Sequence, residues 1–178
     1  MSLIQNKNQY SLIAKIIFWA QKKKYGETLN PAYFWGTSPW LLFGLQIFYR
    51  CLDRAHSPLD RKLRTLLSLR ISQINTCEFC FDIGASFLKK LNIPEEKLIQ
   101  LMKYKNNSLF SEKEQVALEY AEKVTITGKK ISDELRAHLK KHFSNIEIIE
   151  LTAWIAFQNM SAKFNSALNI PAQGFCKK

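Results

Sequence analysis

The sequence predicts an all-α fold, a single-domain helical bundle of 178 residues. Apolar residues make up 47% of the chain, which suffices for a core at this length. Six glycines and five prolines are few for a turn-rich β protein. Apolar residues recur at helical spacing, and no stretch alternates strictly as a half-buried strand does. The pattern therefore favours long helices around one core.

The first third of the chain is predicted to hold two helices and the start of a third. Leu3 to Lys24 carries its apolar residues on one face. A loop with two glycines and two prolines follows. Trp40 to Arg54 is mostly apolar, so we expect it to be mostly buried. Ser57 can cap the next helix, Pro58 suits its first turn, and that helix should run to about residue 73.

Start signals predict the remaining helices. Ser111 and Glu114 form the pattern of a capping box, in which a hydroxyl and a carboxylate satisfy each other's backbone N–H groups. The other predicted helices are a short one from Pro94 to Lys105, one from Ser132 to His142, and a long apolar one from Ile146 to Leu168. No linker or low-complexity tract divides the chain, which indicates one compact unit.

The most informative motif is Cys77-Glu-Phe-Cys80. A helical pattern precedes it at Leu63 to Ile74, and another follows at Phe81 to Leu91. Cys77 is therefore predicted at or just before a helix start, where the amide dipoles stabilise a thiolate. Two thiols at this spacing can form a short disulfide without unfolding the chain.

Three interpretations of the pair compete. In a redox dithiol, one sulfur attacks and the other resolves the oxidised intermediate as a disulfide. Half a zinc site is disfavoured, because no second Cys-x-x-Cys exists and the three histidines lack finger spacing. Cys51 and Cys176 would complete four sulfurs only by coincidence of folding. Inert core cysteines are the third interpretation. The redox dithiol is preferred.

Neighbouring side chains bear on that chemistry. Glu78 and Asp82 are acids within a turn of the sulfurs and can accept protons, although their charge opposes a thiolate. Glu78 is better explained as an acid that complements the helix dipole, while for Asp82 the two interpretations are balanced. Phe79 and Phe81 would make one side of the site apolar, which suits a hydrophobic peroxide, although core packing is the commoner reason for such residues.

The formal net charge of +11 raises the question of nucleic acid or an anionic membrane. The basic residues are scattered, with one run at Lys22–Lys24, and no nucleic-acid motif is present. The apolar cluster at residues 16–20 is too short to span a bilayer and lacks a cleavage site. We therefore expect a soluble, cytoplasmic protein with no nucleic-acid or membrane partner.

The whole segment from Leu63 to Cys176, about two thirds of the chain, resembles the carboxymuconolactone decarboxylase family, and within it the alkylhydroperoxidase D-like branch. The resemblance is carried by four stretches: LRTLLSLRISQINTCEFC from Leu63, FSEKEQVALEYA from Phe110, EIIELTAWIAFQN from Glu147, and the tail from Asn165 with Gly174-Phe-Cys176. It implies a family domain over residues 55–178 and an extension over residues 1–54 that packs on it.

The resemblance also implies function. Family members bury surface in homo-oligomers, commonly trimers or hexamers, and the branch reduces peroxides through its dithiol. Carried over, Cys80 attacks the peroxide and Cys77 resolves the product. The helix-start argument favours Cys77 as the more acidic thiol, so the order of attack rests on the resemblance.

Three positions depart from the family pattern. Gly84 stands where a histidine follows the second cysteine, Thr65 stands where a glutamate precedes the first, and Phe79 replaces a further relay histidine. Either Asp82 or Glu78 substitutes for the usual relay, or turnover is weak. The predicted catalytic set is Cys80, Cys77 and Asp82.

The expected function is that of a thiol-dependent oxidoreductase with peroxidase-like, antioxidant activity and no metal, haem or flavin. Its expected partners are a hydroperoxide, an external thiol or dithiol reductant protein, and further copies of the chain. The alternative is a non-catalytic, redox-responsive oligomeric module that uses the same disulfide.

Overall fold

The structure is a computed structural model that describes residues 9–177. In this range the regular structure is helical throughout, which confirms the all-α prediction. The α-helices are α1 (Leu12–Tyr25), α2 (Asn30–Trp35), α3 (Pro39–Leu52), α4 (Arg61–Ile74), α5 (Glu78–Lys90), α6 (Glu95–Ile99), α7 (Glu112–Thr125), α8 (Asp133–His142) and α9 (Asn145–Ala167), and Leu101–Lys103 and Phe175–Lys177 form short 3-10 helices.

Helix α4 lies at the centre of the bundle, packed against α5, α7 and α9. Leu66, Leu67, Leu69 and Ile71 on this helix have no solvent-exposed surface. Burying one such side chain contributes about 2 kcal/mol. The helix ends directly before the Cys-x-x-Cys segment, so the packing of α4 fixes where the dithiol begins.

Ser111 with Glu114 forms the expected capping box of α7, and Ser132 caps α8, so the predicted starts of these two helices are confirmed. Helix α9 begins at Asn145, one residue before the predicted Ile146, with Ser144 as its N-cap. The predicted start of α4 at Ser57 and Pro58 is wrong. The helix begins at Arg61, because the Asp60 carboxylate accepts the first backbone N–H groups.

The segment before α4 differs more from the prediction. The first helix begins at Leu12, because the Ser11 hydroxyl accepts the N–H of Ala14. The predicted helix start at Leu3 and the residues that follow it up to residue 8 lie outside the described residues. The predicted loop contains the six-residue helix α2, which Pro31 helps to start in its first turn. The isolated glycines and prolines predicted a loop and did not reveal this short helix.

Helix α3 was predicted to be mostly buried, and this is wrong. Only Leu42 and Leu52 on it are buried. Five large apolar side chains are at least 44% exposed: Trp40, Leu41, Phe43, Ile47 and Phe48. The sequence shows that this helix is apolar, but it cannot show which of its faces other helices cover. In the described chain one face of α3 is uncovered.

The long helix α9 crosses α4 and α7 and reaches the dithiol with its last turns. No helix among residues 9–177 is long and apolar enough to cross a membrane. The division of the chain at residue 54 stays a prediction.

Candidate active site

The turn between α4 and α5 places the first cysteine. Asn75 ends α4, and the Cys77 N–H donates to the Ser72 carbonyl at 3.0 Å. Between them Thr76 has a φ of +50°, a left-handed conformation that a β-branched residue rarely adopts. The Asn75 side chain donates to Asn159 Oδ1 of α9 at 2.8 Å. The turn is therefore held both by its own backbone and by the last long helix.

Cys77 and Cys80 are joined by a disulfide, with their Cα atoms 5.3 Å apart. Cys77 is the N-cap of α5, and its Sγ accepts the Cys80 N–H at 3.2 Å. The predicted placement of Cys77 at a helix start is therefore confirmed. A sulfur that accepts an N–H at the positive end of a helix is favoured as a thiolate once the disulfide is reduced.

Cys80 has a different partner, Asn165, which comes from the last turns of α9. The Asn165 Nδ2 group donates to Cys80 Sγ at 3.2 Å. Asn165 is 4% exposed, and its Oδ1 is buried without a hydrogen-bond partner. Sequence reasoning gave this residue no role. The available signal was weak: one asparagine three residues after Ala162, in a turn that also carries Lys163.

The disulfide sits in an apolar cluster. Cys77 is 2% exposed and Cys80 is 5% exposed. The other buried members of the cluster are Phe79, Ala162, Ile170 and Phe175. An oxidant or reductant therefore reaches the sulfurs only where this cover opens. Apolar surroundings also make a thiolate costly, so each N–H donated to sulfur matters more here than in water.

Asp82 fastens the carboxyl-terminal segment to α5. Its carboxylate accepts backbone N–H groups from Gln173 at 2.9 Å, Phe175 at 3.0 Å and Cys176 at 3.0 Å. Burial by itself would raise the pKa of Asp82. The hydrogen bonds from Cys176, Phe175 and Gln173 outweigh burial and lower the pKa to about 2. The segment that these bonds fix carries Phe175, which packs against Phe79 beside the disulfide.

The predicted proton acceptors are thus placed differently. Asp82 is buried and fully engaged, and a carboxyl with so low a pKa is a weak base at neutral pH. Its geometry favours an anchoring role, while its catalytic role stays a prediction. Glu78 is exposed in the first turn of α5, as expected for an acid that complements the helix dipole.

The three positions that depart from the family pattern offer no relay group. The Thr65 hydroxyl donates to the Arg61 carbonyl within its own helix. A Cβ added at Gly84 would lie 3.1 Å from Leu69 Cδ2, so that position is packed against the core. Phe79 is buried in the apolar cluster.

The two remaining cysteines, Cys51 and Cys176, are free and exposed. A hydrogen bond to Asp82 is the largest of the effects that raise the pKa of Cys176, followed by burial and the charge of Asp82. Cys176 is therefore mostly a thiol at neutral pH. Within residues 9–177, no group of three or more His, Cys, Asp or Glu side chains is arranged to hold a metal ion.

An apolar hollow of about 270 Å³ adjoins the cluster. Its walls include Phe34, Phe164 and Leu168, which also pack against the disulfide cluster from the other side. A larger hollow of about 440 Å³ lies elsewhere, between the starts of α4, α7 and α9, and is lined by lysines and glutamates. The apolar hollow is thus the one that neighbours the dithiol.

Comparisons with known proteins agree with this arrangement. The sequence profile of the Carboxymuconolactone decarboxylase family matches residues 44–123, which include both cysteines of the disulfide. The uncharacterized protein YnjA of Escherichia coli (strain K12) is 41% identical over 166 residues, which are 93% of this chain and 91% of that protein.

Two solved structures share the fold. An uncharacterized peroxidase-related protein from Silicibacter sp. TM1040 superposes with a TM-score of 0.87 at 19% identity, over 99% of this chain and 95% of that chain. An uncharacterized peroxidase-related protein from Ralstonia eutropha JMP134, described as an alkylhydroperoxidase AhpD core, gives a TM-score of 0.86 at 16% identity, over 98% of this chain and 94% of that chain. At these identities the likeness concerns the fold alone.

Proposed function

The chain belongs to the carboxymuconolactone decarboxylase family, and from that membership and its disulfide we propose that it is a thiol-dependent oxidoreductase with peroxidase-like, antioxidant activity. One observation carries the proposal. Cys77 and Cys80 form a disulfide at the start of α5, with a hydrogen-bond donor on each sulfur. A pair held this close can open and close without a change of fold.

The proposed reaction balances with two thiols and no cofactor. The Cys80 thiolate attacks one peroxide oxygen, the O–O bond breaks, and the leaving alkoxide takes up a proton to become an alcohol. Cys80 is then a sulfenic acid. The Cys77 thiolate attacks its sulfur, hydroxide leaves and is protonated to water, and the disulfide forms. Two external thiols return two electrons and two protons and are themselves oxidised to a disulfide.

The surroundings of the disulfide support an organic hydroperoxide with an apolar body. The aromatic and aliphatic walls of the cluster and the adjoining hollow attract such a body by excluding water. The reductant is proposed to be a thiol or dithiol protein, because a disulfide is reduced by thiol–disulfide exchange, and it must reach the sulfurs where the apolar cover opens.

Peroxide consumption with a recycling dithiol tests the proposal. We expect multiple turnovers for the wild type, loss of consumption for Cys80→Ser, and retention for the matched control Cys51→Ser, which removes an exposed free thiol. Cys77→Ser should form the sulfenic acid once and then stall. Equal rates for wild type and Cys80→Ser would end the proposal.

A second candidate function is a non-catalytic, redox-responsive module. It is favoured by the low exposure of both sulfurs and by the absence of a titratable side chain at Thr65, Phe79 and Gly84. It predicts a disulfide that forms readily with no turnover. Repeated turnover in the assay above would exclude this alternative.

Self-association is part of the proposal. The uncovered face of α3 presents Trp40, Phe43 and Ile47 to solvent, and such a patch is typical of an interface. We expect a homo-oligomer, a trimer or hexamer, in light scattering. Phe43→Glu should reduce the mass of the oligomer. Leu12→Glu is the control, because it places the same charge on an exposed apolar residue of α1, outside the face of α3, and should leave the mass unchanged.

A further inference from the structure

Asn165 contacts one of the two sulfur atoms from a helix far along the chain. It is 85 residues away from Cys80 in sequence, and its Nδ2 lies 3.2 Å from Cys80 Sγ. Asn165 is 4% exposed and bonds to a buried cysteine of the apolar cluster, so little water competes for the contact. This contact is the hydrogen bond that its side chain makes in the described residues.

The amide of Asn165 is bonded at one end only, unlike the amide of Asn159 on the same helix. Asn159 Oδ1 accepts from Asn75, and its Nδ2 donates to Thr125 and to the Ile155 carbonyl. Both ends of that amide are satisfied, as is normal for a buried amide that stabilises a fold. Asn165 Oδ1 has no partner, so burying this amide costs free energy that its contact with sulfur only partly offsets.

We propose that Asn165 is a catalytic residue that stabilises the thiolate of Cys80 after the disulfide is reduced. A hydrogen bond to a charged acceptor is stronger than one to a neutral acceptor, so the Nδ2 group gains most when Cys80 has lost its proton to solvent. This inference rests on the proposed function, because it assigns the attacking sulfur of that reaction.

The two sulfurs then have separate donors. The backbone N–H of Cys80 serves Cys77, and the side chain of Asn165 serves Cys80. Position at the helix start alone favours Cys77 as the more acidic thiol. The amide of Asn165 gives Cys80 a donor of its own, and this is a physical reason for Cys80 to attack first.

The test measures the rate at which iodoacetamide alkylates Cys80 in the reduced protein, as a function of pH. Peptide mass spectrometry separates Cys80 from the other cysteines. The variants are Asn165→Leu, close in size, and Asn165→Ala, which adds no bulk should leucine prevent folding. Thr152→Val is the control, since it removes a part-buried polar group of the same helix that bonds to Tyr120 and to none of the residues around the two sulfurs.

In both Asn165 variants we expect the midpoint of the Cys80 profile to move up by about one pH unit, with alkylation about tenfold slower near neutral pH. The midpoint reports the thiolate and does not depend on access of the reagent. The control should keep the wild-type midpoint. An unchanged midpoint in the Asn165 variants, or an equal shift in the control, would overturn the inference.

Failure of this inference is distinguishable from failure of the proposed function, because alkylation involves no peroxide. A shifted midpoint without peroxide turnover in the wild type would support the role of Asn165 on the thiolate and reject the peroxidase. Turnover with an unshifted midpoint would reject Asn165 alone.

Discussion

Replacing Asp82 by asparagine tests how the carboxyl-terminal segment is held over the disulfide. The change keeps the shape of the side chain and removes its charge. The carboxylate accepts three backbone N–H groups, from Gln173, Phe175 and Cys176. An asparagine offers one oxygen and turns an NH₂ group toward donors that need an acceptor. The substitution should therefore loosen the segment as well as destabilise the fold.

The size of the effect follows from the pKa of Asp82, which is lowered from 3.8 to about 2. At about 1.4 kcal/mol per pKa unit, this contributes about 2 kcal/mol to the free energy of unfolding. Because the folded-state value is the lower one, the contribution is complete above about pH 4. It is lost as the pH falls through about 2, where the folded protein also takes up the proton.

Urea unfolding at pH 7 and at pH 2 to 3, at one protein concentration, is the assay. We expect Asp82→Asn to lose about 2 kcal/mol at neutral pH, and the difference from wild type to shrink at the acid end. Hydrogen exchange at the Phe175 and Cys176 amides should speed up. Asp133→Asn is the matched control, because its side chain is 98% exposed, and its stability should stay close to wild type. Equal stability of Asp82→Asn and wild type at pH 7 would refute the reasoning.

Two further substitutions probe the surroundings of the site, and a third probes the start of α4. Thr76→Asn should raise the free energy of unfolding by about 1 kcal/mol, because asparagine tolerates a φ of +50° better than threonine; a loss in urea unfolding would contradict this. Gly84→His should cost about 1–3 kcal/mol by overpacking Leu69 and should not restore a relay; an unchanged melting temperature would show that the core has room. Asp53→Asn removes the charge that lies 3.1 Å from the buried Arg64 guanidinium. It should cost about 3 kcal/mol in urea unfolding, and a loss below about 1 kcal/mol would argue that another group compensates.

Thr76 differs in residue type from the other non-glycine residues that have a left-handed backbone. In residues 9–177 they are Asn92, Asn106 and Asn169, all of the type that tolerates this conformation. Threonine at the position before Cys77 is the exception. Strain of this kind persists where surrounding structure over-determines the backbone, and it concentrates at functional sites.

Features that depend on neighbours in sequence could be predicted. The all-α class, the helix starts at Ser111 and Ser132, and the position of Cys77 at a helix start follow from local spacing. The closeness of the two thiols is also a local feature, because Cys77 and Cys80 lie three residues apart at one helix start. Local hydrogen bonds and side-chain period determine these features wherever the segment lies in the fold.

The tertiary structure decided the rest. Asn165 meets Cys80 across 85 residues, and Asp82 meets the tail across 91 to 94 residues. The exposure of α3 likewise depends on what packs against it, since an apolar helix has the same sequence whether it is covered or not. Chain neighbours set the dithiol in place and give Cys77 its donor, the Cys80 N–H. A distant helix gives Cys80 its donor, and distant segments decide how much of each sulfur solvent can reach, because packing free energy is shared among segments that no local pattern connects.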